Sequence, residues 1–98
     1  MEKGTPHTRL HIVQALVAAG RVNATRTAVT TADELGIDRE GMHAVIAGLT
    51  AKDFHKSMTT YKDHTVWQDV YLPTVNGVTL YVKVTVIDDV LIVSFKEK

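Results

Sequence analysis

Histidine is the first side chain to weigh, because its charge changes near neutral pH. The chain carries five: His7, His11, His43, His55 and His64. None belongs to an HExxH pair. His7 and His11 stand four apart, a spacing that can place two imidazoles on one helix face for a metal. His7, however, precedes the first helix that the sequence predicts. Exposed histidines are therefore the expectation, and no metal site is assigned. His55 shares strand parity with Ser57, Thr59 and Tyr61. A neutral imidazole beside hydroxyls suits a general base, although spacing alone favours a polar strand face in water. No GxSxG elbow makes Ser57 a nucleophile.

Tyr81 and Lys83 share the polar side of an alternating run. A phenol ring can stack on a base and an ammonium can hold a phosphate. Pattern alone favours the plainer reading, a cross-strand pair on a solvated face. Lys96-Glu97-Lys98 reads as a charged tail. Trp67, the only tryptophan, is assigned to the core. No phosphate-binding glycine loop and no dinucleotide fingerprint occurs.

The elements that must position these residues change character once, near Thr50. The first half has helical spacing and much alanine. A helix is predicted from about Arg9 to Ala19, with Thr8 as N-cap and Leu10, Val13, Leu16 and Val17 as its apolar stripe. A very short strand is predicted over Arg21 to Asn23. A second helix spans Arg26 to Leu35, capped by Thr25, with Gly36 beyond its end. A third follows Asp38 and buries Met42, Val45, Ile46 and Leu49. Thr50 to Asp53 has capping-box spacing and predicts a single turn.

The second half is β-branched and aromatic. Strands are predicted at Phe54 to Thr60 and Val66 to Leu72, the latter ended by Pro73. Asn76-Gly77 marks a hairpin, since both residues tolerate positive φ. From Val78 to Ile87 the pattern alternates, with Val78, Leu80, Val82, Val84 and Val86 on one face. Thr79, Tyr81, Lys83 and Thr85 fall on the other. Asp88-Asp89 reads as a turn. Val90 to Lys96, apolar on both faces, predicts a central or covered strand. Helices followed by an antiparallel meander give an α+β fold, with the helices on one sheet face.

Composition narrows the function classes. At 98 residues the chain is read as one domain, residues 1–98. It has no cysteine, which excludes a disulfide framework and a zinc–thiolate site. No apolar run approaches the roughly 18 residues of a membrane helix, and the N-terminal residues lack a signal-peptide core. The expectation is a cytoplasmic protein without a membrane partner. No helix is rich in Arg or Lys, which leaves little support for a transcription regulator. Net charge is formally zero. An RNA-binding surface would therefore have to be built by position rather than by basic excess.

Several segments together carry a resemblance to a known family. They are Thr5-Pro6-His7-Thr8-Arg9-Leu10, Ala32-Asp33-Glu34-Leu35-Gly36, Lys56-Ser57-Met58-Thr59-Thr60-Tyr61, Asp63-His64-Thr65, Trp67-Gln68-Asp69-Val70-Tyr71 and Asp89 through Lys98. The chain closely resembles the MqsR toxins (motility quorum-sensing regulator), messenger-RNA interferases with a RelE-like fold, over essentially its whole length.

The resemblance implies the toxin half of a bacterial type II toxin–antitoxin pair. It implies an endoribonuclease that needs no metal or cofactor. The RNA's 2′-hydroxyl would attack the adjacent phosphate, with preference for GC-containing triplets such as GCU and GCA. It implies two partners, messenger RNA and a zinc-binding antitoxin of the MqsA type. It points to Lys56, Gln68, Tyr81 and Lys96 as catalytic residues, with His55 and Lys83 as further substrate contacts.

Three positions depart from the family pattern: Asp88 stands where His is expected, His55 where Tyr is expected, and Gly4 where Arg is expected. These imply a weaker hold on RNA, and Asp88 beside Asp89 adds repulsion toward phosphate near the sheet end. The alternative is a catalytically weakened homologue that serves as an antitoxin-binding module.

Strict alternation puts Lys56 on the side of Phe54 and Met58, away from His55. A bulge, or a sheet face that is apolar under the helices and functional beyond them, would reconcile Lys56 with a catalytic face.

Overall fold

The computed structural model describes residues 1–98. Its elements, in chain order, are β1 (Glu2–Lys3), α1 (Leu10–Ala18), β2 (Val22–Ala24), α2 (Arg26–Glu34), α3 (Arg39–Ala47), β3 (Phe54–Thr59), β4 (Trp67–Tyr71), β5 (Thr74–Val75), β6 (Val78–Ile87) and β7 (Asp89–Glu97). One sheet runs in the order β1-β3-β4-β6-β7-β2, and β5 pairs with β6. Every pairing is antiparallel except β2 with β7. The α+β expectation therefore holds, with three helices and a mainly antiparallel sheet.

All three helices pack on one face of the sheet. Val13 and Val17 of α1, Ala28 and Ala32 of α2, and Met42 and Ile46 of α3 are buried against Tyr71, Leu80, Val82, Val84, Val90, Ile92 and Phe95. The alternation read from β6 explains this: Leu80, Val82 and Val84 are its inward side. Small alanines let α2 lie close to β7, and Thr31 uses that closeness to donate its hydroxyl to the Phe95 carbonyl.

The caps at Thr25 and Asp38 form as expected. Each side chain accepts from an amide three residues on, Ala28 and Gly41. Thr50 and Asp53 form the predicted capping box on a single 3-10 turn over Ala51–Asp53. Asn76 (φ 51°) and Gly77 (φ 80°) make the β5–β6 turn with both residues left-handed. The last hairpin reverses at Asp88 alone, at φ 63°, and Asp89 already pairs with Ile87.

Two expectations need correction, and one element was not anticipated. Thr8 is not the cap of α1: Arg9 holds that position, without a side-chain bond. The amides of His7 and Thr8 instead donate to the two carboxylate oxygens of Asp69, at 3.0 Å each. A buried carboxylate with both oxygens satisfied is a stronger anchor than a hydroxyl cap, so the segment before α1 is pinned to β4.

Trp67 is not part of the core cluster. It is half-buried, stacked at 5.5 Å on the His7 ring, with the Lys3 ammonium 4.1 Å from its ring centre. An indole at the sheet margin gains from a cation on its face what it lacks in buried neighbours. Finally, β1 is an element that the residue pattern does not predict. It adds a two-residue edge to β3 through the Glu2–Met58 and Lys3–Ser57 pairs.

Candidate active site

The helices cover one face of the sheet and leave the other open. Which residues line that open face follows from register, because directly opposed residues share a face. Tyr81 opposes Lys96, and Lys83 opposes Ser94. Lys83 also opposes Val70, which in turn opposes Lys56. Met58 opposes Gln68. Residues two apart on a strand share a face, which joins Tyr81 to Lys83, Lys56 to Met58 and Gln68 to Val70. Lys56, Gln68, Tyr81, Lys83 and Lys96 therefore lie on one surface. Val70 is fully buried yet outside the helix-side core cluster, so it forms the floor beneath the lysine stems.

Lys56 reaches this surface through a β-bulge. Phe54 opposes Tyr71 and Lys56 opposes Val70, so two steps on β3 match one on β4. The extra residue is His55. Phe54 turns inward to meet Tyr71 edge-on at 5.5 Å, and Lys56 turns outward despite its equal parity. Of the two routes that could bring Lys56 to the open face, the bulge is the one taken. His55 itself is exposed on the bulge. It lies near enough to Glu2 to help lower that carboxyl's pKa.

The open face has internal structure. The Lys96 ammonium sits 5.3 Å from the Tyr81 ring centre. Gln68 and Lys83 line a groove of about 410 Å³ with Met58, Thr60, Tyr61 and His64. Lys56 donates to Glu2 Oε1 at 2.9 Å. Three other carboxylates are engaged away from this surface. Asp69 holds backbone amides on the helix side, Asp38 caps α3, and Asp89 pairs with Arg21 at 2.7 Å. A positive patch thus arises at zero net charge, by position. The Asp88 turn does not crowd it. Seven residues of extended chain separate Asp88 from Tyr81, roughly 23 Å.

Nothing gathers His7 and His11 with a third ligand. No three His, Asp or Glu side chains meet anywhere in the chain.

The profile of one protein family, described as "Motility quorum-sensing regulator, toxin of MqsA", matches residues 5–97. The chain belongs to this family. It is 63% identical over 98 residues to the mRNA interferase toxin MqsR of Escherichia coli (strain K12), covering 100% of both chains. The fold and the open face described above are therefore those of an MqsR-family toxin. No helix in it is long and apolar enough to cross a membrane.

One member of this toxin's open face was not legible in its sequence. Glu2 lies 54 positions from Lys56, on a strand too short to be read from pattern. The pair moves both titrations. Hydrogen bonding to Lys56, then its charge, holds the Glu2 carboxyl below the usual range. The same hydrogen bond raises the Lys56 pKa. Glu2's contribution is present above its unfolded value and is lost as pH falls through the lowered folded one. Lys56's is present below its unfolded value and is lost as pH rises through the raised folded one. The pair therefore persists across the neutral range.

Both side chains are solvated, so the pair adds little stability. Its effect is on the availability of Lys56, since Glu2 occupies an ammonium that would otherwise be open to an anion. Glu2→Gln is expected to leave the melting temperature nearly unchanged and to tighten binding of an uncleavable 2′-deoxy oligonucleotide about threefold at low salt. Fluorescence anisotropy across a salt series measures it; unchanged affinity would show that Glu2 does not compete.

Proposed function

We propose that this toxin is a messenger-RNA endoribonuclease whose catalytic surface is the open sheet face. The RNA's own 2′-hydroxyl is the nucleophile. Attack on the adjacent phosphorus expels the 5′-oxygen and leaves a 2′,3′-cyclic phosphate. What carries the reading is the register Lys56–Val70–Lys83 with Tyr81–Lys96, which groups ammonium ions and a phenol over one apolar floor.

Lys56 and Lys96 stabilise charge building on the non-bridging oxygens, as fixed donors do for an oxyanion. Tyr81 protonates the leaving 5′-oxygen. Gln68, in the groove, bonds a phosphate oxygen or a base edge. His55, on the bulge, and Lys83 are further substrate contacts. The chemistry asks for no metal and no cofactor. The preferred targets are GC-containing triplets, GCU and GCA. The partners are messenger RNA in the cytoplasm and an antitoxin, MqsA-like and zinc-binding, that restrains the toxin.

The test uses purified toxin and a naked transcript containing GCU, with EDTA present. Discrete cuts bearing cyclic phosphate ends support the nuclease. Intact RNA beside tight antitoxin binding supports the antitoxin-binding module instead. Lys56→Ala and Lys96→Ala should each slow cutting by at least about tenfold. Wild-type rates in both would remove the two lysines from the mechanism.

A further inference from the structure

The three lysines of the open face are not equivalent. Lys56 is paired with Glu2 at 2.9 Å. Lys96 is exposed near the end of β7, beside the Tyr81 ring. Lys83 lies between them, at the middle of the sheet, with Val70 opposite on β4 and Ser94 opposite on β7. It is half-buried, makes no ion pair and lines the groove beside Gln68.

We propose that Lys83 is the catalytic group that accepts the 2′-hydroxyl proton when this toxin cuts RNA. The proposal rests on the nuclease reading and assigns a step which that reading leaves without an owner. A proton acceptor must be positioned on the reacting surface and must reach its unprotonated form near working pH. Lys83 meets the first condition through its place in the groove.

The surroundings shift Lys83 in the direction that the second condition asks for. Burial, then the charges of Lys96 and Lys56, all lower its pKa. The titratable groups around it are Lys56 on β3, Tyr81 on its own strand, Lys96 on β7, and Tyr61, His64 and the Met1 amine around the groove. The carboxylates nearest this set are already engaged: Glu2 holds Lys56 at 2.9 Å, and Asp63, on the loop between Tyr61 and His64, accepts from the Thr65 amide and hydroxyl. Lys56 drifts the opposite way under Glu2, which suits it to hold charge rather than to take a proton.

The step balances. The neutral Lys83 amine takes the 2′-hydroxyl proton as the 2′-oxygen bonds to phosphorus. The bond from phosphorus to the 5′-oxygen breaks, and that oxygen takes the Tyr81 phenolic proton. Solvent then carries a proton from the Lys83 ammonium back to the Tyr81 phenolate.

Two variants test it in single-turnover cleavage of a GCU oligonucleotide. Lys83→Arg keeps the charge but cannot lose its proton. It should bind the 2′-deoxy analogue as the wild type does and cut about 100-fold more slowly. Lys83→Ala should be equally slow and regain rate in added ethylamine, in proportion to the unprotonated amine. An arginine variant that cuts at the wild-type rate overturns the proposal. So does an alanine variant that binds the analogue and shows no amine rescue. A wild-type chain that cuts no RNA fails the nuclease reading itself; an active wild type with an active Lys83→Arg fails Lys83 alone.

Discussion

Tyr81→Phe is expected to slow RNA cleavage by about 100-fold with almost no change in fold or in RNA affinity. The substitution removes one hydroxyl and nothing else that the structure uses. The ring remains opposite Lys96, and the ammonium keeps its place on the ring face at 5.3 Å. Phenylalanine offers a similar π surface. The alternation of β6 is untouched, because Leu80 and Val82 still face the helices.

On the proposed mechanism, what is lost is the proton for the departing 5′-oxygen. An alkoxide is a poor leaving group, and a positioned acid typically contributes 10²–10⁴-fold, roughly, to such a step. A substrate with sulfur at the 5′-bridging position discriminates, because a thiolate leaves without a proton. The Tyr81→Phe variant should cut that substrate at close to the wild-type rate. An equal deficit on both substrates would show that the hydroxyl serves something other than the leaving group.

Asp69→Ala is expected to cost about 2–4 kcal/mol of stability, since it strips the acceptor from two amides and leaves them unpaired. Asp69 is 3% exposed, and each oxygen takes one amide, from His7 and Thr8. At this chain length such a loss lowers the melting temperature by roughly 10 °C or more. Urea denaturation read at an unchanged slope measures it. Asp69→Asn, which keeps one acceptor, should cost less. Burial, and then the Asp69 charge, pushes the Tyr71 hydroxyl up to about 12, so the variant should also relax that phenol. A full-strength fold in Asp69→Ala would mean that the segment before α1 is held by other contacts.

The same anchor reaches the candidate site. It fixes the segment that carries β1, and β1 carries Glu2 to Lys56. A residue on the helix side of the sheet thereby sets the charge environment of a residue on the open side.

Most of the frame was legible because its signals are local. A hydroxyl three residues before an amide caps α2, a carboxylate does so for α3, and Asn76-Gly77 turns a hairpin. The inward side of β6 follows from a period of two. The features that escaped are those set by partners distant in sequence. Thr8 reads as a cap because nothing nearby announces Asp69, 61 positions on. Trp67 reads as core because an indole is large and apolar, while its actual neighbours, His7 and Lys3, come from the far end of the chain.

The candidate site divides in the same way. Tyr81 and Lys83 are placed together by alternation, and the resemblance singles out Lys56, Gln68 and Lys96. Only the bulge at His55 reconciles Lys56 with them, and a bulge leaves no mark in a pattern of residue types. The inequality of the three lysines is invisible too, since it depends on Glu2 and on burial at the sheet centre.

The two-residue β1 has a consequence for how the molecule breathes. A strand this brief, at the sheet's rim, frays in openings that leave the rest intact, whereas the paired β6 and β7 come apart only when everything does. Amide hydrogens across from Tyr81 should therefore exchange with solvent deuterium slowly, and those beside Glu2 quickly. Lifting of that rim parts Glu2 from the Lys56 ammonium while the bed beneath it stays closed.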